Sequence, residues 1–203
     1  MLLDLSTLSP NRVYHTMTQV VIPRPIAWVL SDNGNSSFNL APFSYFSAVS
    51  SDPPLIMLSI GKKPDGEIKD TRRNILERKQ FVVHITPRTL LAELNASAAT
   101  LPTNVSELDA SGLATGMIEG FTVPRLRDCR IALACSLYKS EAITASQVLI
   151  FGEVKKIWID DAIVQTDDKG RIQISAAGVD PLARLGGEEY ATFGEVTSVP
   201  RPR

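Results

Sequence analysis

The sequence predicts a mainly β fold with short helices, an antiparallel barrel, and three observations predict it. Short runs of β-branched, aliphatic and aromatic residues, such as Ile26-Ala27-Trp28-Val29-Leu30-Ser31 and Leu55-Ile56-Met57-Leu58-Ser59-Ile60, are too brief for buried helices and read as strands. Turn chemistry separates neighbouring runs, as at Asp32-Asn33-Gly34-Asn35. Helical patterns between the runs are few and short, whereas a parallel sheet needs a crossover of about a dozen or more residues for each strand pair.

Taken in order, residues 26–31 and 37–41 form a hairpin about that turn, and residues 44–49 form a strand between Pro42 and Pro53-Pro54. Residues 55–60 form a buried strand stopped by Gly61. Asp70 is the expected N-cap of a short helix over 71–78, with Ile75 and Leu76 one turn on and Lys79 closing it where a cation suits the helix dipole. A strand over 81–85 follows. Thr86-Pro87 opens a second helix whose apolar side is Leu90, Leu91 and Leu94. Residues 99–120 are small and polar, with a short helix near 106–110. Strands return at 129–138 and 147–159, where Ile150, Gly152, Val154, Lys156 and Trp158 alternate with Phe151, Glu153, Lys155 and Ile157. The whole chain, 1–203, reads as one domain with a helical excursion near 86–120 and a C-terminal extension from about 178 that packs on the rest.

Bulk composition narrows the function. Lys and Arg total 21 against 22 Asp and Glu, so no overall positive field collects a nucleic-acid backbone, and no nucleic-acid partner is expected. No apolar run approaches the ~20 residues a bilayer needs, and Met1-Leu2-Leu3-Asp4 lacks a basic n-region, so the expectation is a soluble, cytoplasmic protein. The sequons at Asn35, Asn95 and Asn104 therefore carry no weight. Cys129 and Cys135 share one strand face at this reading, ~20 Å apart at ~3.3 Å per residue, too far to bond to each other. With His15 and His84 the only histidines, no zinc spacing exists, and the thiols read as buried and structural.

Walker, Gly-x-Gly-x-x-Gly, Gly-x-Ser-x-Gly and His-Glu-x-x-His motifs are all missing from the sequence. Chemistry in such a chain is usually borrowed from a cofactor. Ile68-Lys69-Asp70-Thr71-Arg72-Arg73-Asn74 places cations and a hydroxyl at a helix start, where free N–H groups attract anions; it reads either as a phosphate site or as a capped surface helix. Asn39-Leu40-Ala41-Pro42-Phe43-Ser44-Tyr45-Phe46 suits a flat, polar-edged heterocycle or, equally, an aromatic plug in the barrel mouth. His84, on an apolar strand, is expected to be a core histidine with one hydrogen-bond partner.

Together these segments resemble the flavin-reductase-like, FMN-binding split-barrel family, which includes the flavoredoxins. The resemblance rests on Pro23-Arg24-Pro25-Ile26-Ala27-Trp28-Val29-Leu30-Ser31, the 39–46 segment, Ser51-Asp52-Pro53-Pro54-Leu55 and Lys69-Asp70-Thr71-Arg72-Arg73-Asn74-Ile75, with Arg184-Leu185-Gly186-Gly187-Glu188-Glu189-Tyr190 and Arg201-Pro202 at the C-terminal end. It implies a six-stranded antiparallel Greek-key split barrel and a homodimer with FMN near the interface. By the same resemblance Lys69, Asp70 and Thr71 lie at the phosphate, Ser31, Asn39, Leu40, Ala41 and Ser44 surround the isoalloxazine and ribityl chain, and Arg184 and Gly186 reach the flavin or the partner. The implied reaction takes hydride from NADH or NADPH to the flavin, with no catalytic side chain and no metal. A flavin carrier without a nicotinamide site, and a binder of another phosphorylated heterocycle or haem, are the competing readings.

Overall fold

Seven strands build the principal sheet of the computed structural model, which describes residues 1–102, 105–200 and 202. Asn104 and Arg201 lie outside the described residues. The strands are β1 (Ala27–Asp32), β2 (Phe38–Phe43), β3 (Phe46–Ser51), β4 (Pro54–Ile60), β5 (Gln80–His84), β6 (Ile131–Ala142) and β7 (Val148–Ile159). Their hydrogen-bonded order is β2-β1-β5-β6-β7-β4-β3, antiparallel throughout. Three hairpins, β1-β2, β3-β4 and β6-β7, make most of it, as the turn chemistry predicts. At the first, the Asp32 carboxylate accepts the N–H of Gly34 at 2.7 Å, and Gly34 takes a φ of 78° that favours glycine.

Strand number and closure differ from the implied six-stranded Greek-key barrel. Seven strands pair, and the end strands β2 and β3 do not pair with each other among the described residues, so the sheet is not closed. Pro42, which has no N–H to give, sits on edge strand β2 where that loss is tolerated. The sheet instead curls, bringing Phe43 of β2 and Leu58 of β4 into one apolar cluster with Val29, Ile75, Phe81, Val83, Cys135 and Ile150.

The opposite face carries a second cluster. Trp28, Leu30, Leu40, Val82, Leu94, Leu108, Leu126 and Cys129 pack there, beneath α3 (Leu91–Ala96) and α4 (Glu107–Ser111). β1 is buried on both faces, which is why it reads as an unbroken apolar run rather than an alternation. The Trp28 indole N–H keeps a partner in that dry setting by donating to Ser97 Oγ at 2.8 Å.

Two sequence expectations change. Cys129 precedes β6 and packs on the second cluster while Cys135 packs on the first, so the two thiols occupy opposite faces, both free and buried. The strict alternation along 147–159 breaks where Lys155 bulges between Val154 and Lys156, which turns Val154 to one cluster and Trp158 to the other. Helix α1 (Pro10–Val20) was not anticipated, although Ser9 capping the Arg12 N–H and Pro10 at the first helical position announce it, nor were the short hairpin of Val164–Thr166 with Ile172–Ile174 and the helix Ala176–Val179.

Candidate functional site

Helix α2 (Asp70–Arg78) packs its Thr71, Asn74 and Ile75 against β1 and β2, and this fixes its N-terminus at the mouth of the curled sheet. The N-cap is Lys69, not Asp70, and no side chain caps the helix. Asp70, in the first turn, is held by Lys63 Nζ at 2.8 Å and Arg73 Nη1 at 2.6 Å. Its charge is therefore compensated, and the free N–H groups of the helix start remain available for an anion. The Thr71 hydroxyl accepts from Asn39 Nδ2 at 2.7 Å, which leaves its own hydrogen to donate. Behind it, Asn74 Nδ2 donates to Ser31 Oγ at 3.2 Å and to Asn33 Oδ1 at 2.9 Å, locking α2 to the first hairpin.

Lys69 pairs with no carboxylate among the described residues. Its ammonium lies 5.4 Å from the centre of the Phe43 ring, and burial pulls its pKa down. A desolvated cation without a counter-charge gains most from an arriving anion. Across from it, Glu107 Oε2 accepts the N–H of Leu40 at 3.1 Å, and burial pushes this carboxyl up.

Two adjoining cavities meet at Pro42, Lys63, Lys69 and Ala98. The smaller, about 160 Å³, is walled by Asn39, Ala41, Asp70, Thr71 and Glu107. The larger, about 580 Å³, runs past Phe43, Ser44 and Tyr45 to Tyr14, Arg184 and Tyr190. That size suits a heterocyclic ligand.

The model of the flavin reductase like domain matches residues 17–173. The chain belongs to the flavin-reductase-like family. Among solved structures it is similar to nitrilotriacetate monooxygenase component B from Bacillus cereus, at 33% identity and a TM-score of 0.88 over 98% of both chains. It is similar to 2-nitrobenzoate 2-nitroreductase from Pseudomonas fluorescens, at 29% identity and a TM-score of 0.89 over 100% of this chain and 96% of the other. The flavoredoxin of Desulfovibrio vulgaris shares the fold at 21% identity and a TM-score of 0.74 over 98% and 97%.

Within this flavin-reductase-like chain the residues singled out from sequence separate into groups. Asn39, Ala41, Lys69, Asp70 and Thr71 line the smaller cavity, and Ser44 and Arg184 line the larger. Ser31 and Leu40 are fully buried behind these walls, so their side chains act as supports. Gly186 lines neither cavity; it lies against the Gln19 side chain, where a Cβ would collide. Arg184 stacks 4.5 Å from the Tyr190 ring centre and donates to the carbonyls of Gly187 and Glu189, so it shapes the C-terminal wall. Sequence reasoning missed Lys63, Glu107 and Tyr14, which reach the cavities from segments without a local motif, and it gave no role to Tyr190 at the end of the Arg184–Tyr190 segment. His84 is a core histidine, with two partners instead of one: Nδ1–H donates to the Trp28 carbonyl at 3.0 Å, and Nε2 accepts from Leu126 N–H at 2.9 Å.

Proposed function

We propose that this chain binds FMN and works as an oxidoreductase that takes electrons from NADH or NADPH. The observation that carries the reading is Lys69, a half-buried cation with no carboxylate partner among the described residues, at the uncapped start of α2, placed where a small anion-sized cavity opens into a ring-sized one. The residues present fit the cofactor. Lys69, the Thr71 hydroxyl and the first N–H groups of α2 hold the phosphate, while Asp70 is kept from repelling it by Lys63 and Arg73. Ala41, Pro42, Phe43 and Ser44 border the ring, and Asn39 orients Thr71 through the 2.7 Å hydrogen bond.

When bound, FMN supplies the hydride-accepting and electron-releasing chemistry. The chain's own task is to orient the ring, keep its polar edge in contact with hydrogen-bond donors and leave one face open to a nicotinamide. No side chain is assigned as a proton donor.

The same reading includes a homodimer. Helix α1 exposes Tyr14, Met17 and Val20, with Val21 and Ile22 following, and Tyr14 also lines the larger cavity. A second copy seated on this apolar face would complete the cavity wall. The buried free thiols are compatible with a reducing cytoplasm, which is the location we propose. Among the described residues no helix is long and apolar enough to cross a membrane.

The test loads the purified protein with FMN, follows quenching of flavin fluorescence, then mixes it with NADH or NADPH in a stopped-flow instrument. Saturable binding followed by bleaching of the flavin colour is expected. Binding without bleaching by either donor identifies a carrier, and no binding removes the FMN reading.

A further inference from the structure

Arg24 is 5% exposed, and no carboxylate pairs with it among the described residues. It lies on a two-residue strand, Arg24–Pro25, that pairs with Ala183–Arg184 of the C-terminal segment. Nη1 donates to the carbonyls of Thr18 and Val21 at 2.6 and 2.7 Å, and Nη2 donates to the Leu185 carbonyl at 2.8 Å. Nε donates to Ser44 Oγ at 3.3 Å. Three neutral carbonyls solvate the guanidinium but leave its positive charge in place. Burying such a charge is costly, so its retention behind a cavity wall calls for an explanation.

Ser44 provides one. Its oxygen already accepts from a cation, its side chain lines the larger cavity, and its own hydrogen has no acceptor among the described residues. A hydroxyl polarised in this way is a stronger donor than an isolated serine, and the direction left to it is the cavity. We propose that Arg24 is a positioning residue that sets Ser44 as a charge-assisted donor to the ring system. The larger cavity thereby holds the reduced, electron-rich ring more tightly than the oxidised one. This inference rests on the FMN reading above.

A redox titration of FMN-loaded protein tests it. Ser44→Ala is expected to reduce the preference for reduced over oxidised FMN about tenfold, the size of one hydrogen bond to a charged group, which lowers the midpoint potential by about 30 mV for a two-electron couple. Arg24→Gln should lower it similarly, Arg24→Lys less because the cation remains, and the Arg24→Gln/Ser44→Ala pair no further than either alone. An unchanged potential in Ser44→Ala overturns the inference, and this variant leaves the Arg24 clamp on α1 intact. An Arg24→Gln effect undiminished in the Ser44→Ala background also overturns it, because the guanidinium would then act without the serine. A wild-type protein that takes up no FMN defeats the underlying functional reading instead, a separate result.

Discussion

In the proposed anion site Lys69 and Thr71 contribute separable parts. Lys69 supplies charge with no carboxylate partner among the described residues, and Thr71 supplies a hydroxyl fixed by Asn39. Replacing either by alanine is expected to weaken FMN about 10- to 100-fold, the worth of one hydrogen bond to a charged group. Riboflavin, which lacks the phosphate, should bind wild type and Lys69→Ala alike, and fluorescence titration with both flavins makes the comparison. His84 carries a different prediction. Burial pulls its pKa down from 6.5 to about 4, outweighing the Trp28 carbonyl. The unfolded chain therefore takes up the proton first as pH falls, so this residue's contribution is fully present above about pH 6.5 and is lost on the way down to about 4. The loss is on the order of 3 kcal/mol. Denaturant unfolding at several pH values should show that slope in wild type and a flatter one in His84→Asn. The motif around Lys69 was legible because helix-start chemistry is local. Asp70 was misassigned as the cap because its true partner, Lys63, is brought in by the chain's return through Gly66 rather than by helix spacing.

At the scale of elements, hairpins were the readable unit. Asp32-Asn33-Gly34-Asn35 encodes its own turn, and the flanking runs pair whatever the rest of the chain does. The β7 bulge at Lys155 was not readable, because nothing in an alternating sequence says where a strand will change faces to serve two clusters. Gly152, on the same strand, is a packing site. A Cβ there would run into the Phe81 ring, which is fully buried and has nowhere to go. Gly152→Ala should destabilise the fold by about 1–3 kcal/mol, as overpacking does, with a matching fall in the denaturant midpoint. Helix α4 shows how an element reaches the site. Ser106 caps it and donates to the Phe38 carbonyl at 2.6 Å, which brings Glu107 against the Leu40 N–H.

For the whole molecule, the curl of the sheet decides where the cavities form, because it brings the β2 end and the α2 start to one mouth. The exposed apolar side of α1 borders that mouth. Sedimentation at micromolar concentration should report a dimer, and Val20→Asp with Val21→Asp should give a folded monomer with weaker FMN binding. A wild-type monomer with undiminished flavin occupancy would contradict the shared-wall arrangement.

By itself the sequence determined the strand runs, the first hairpin, the α2 start with its cations, and the family to which the chain belongs. Each of these is written in neighbouring residues, where turn geometry, capping and apolar runs act. Only the tertiary structure decided that Asp70 is neutralised by Lys63, that Glu107 and Tyr190 face the cavities, and that Arg24 reaches Ser44. Those contacts, together with the Tyr190 hydroxyl donating to Asn95 Oδ1, join residues from 7 to 95 positions apart, and such pairs are chosen by the way two apolar clusters bend one sheet, not by any spacing along the chain.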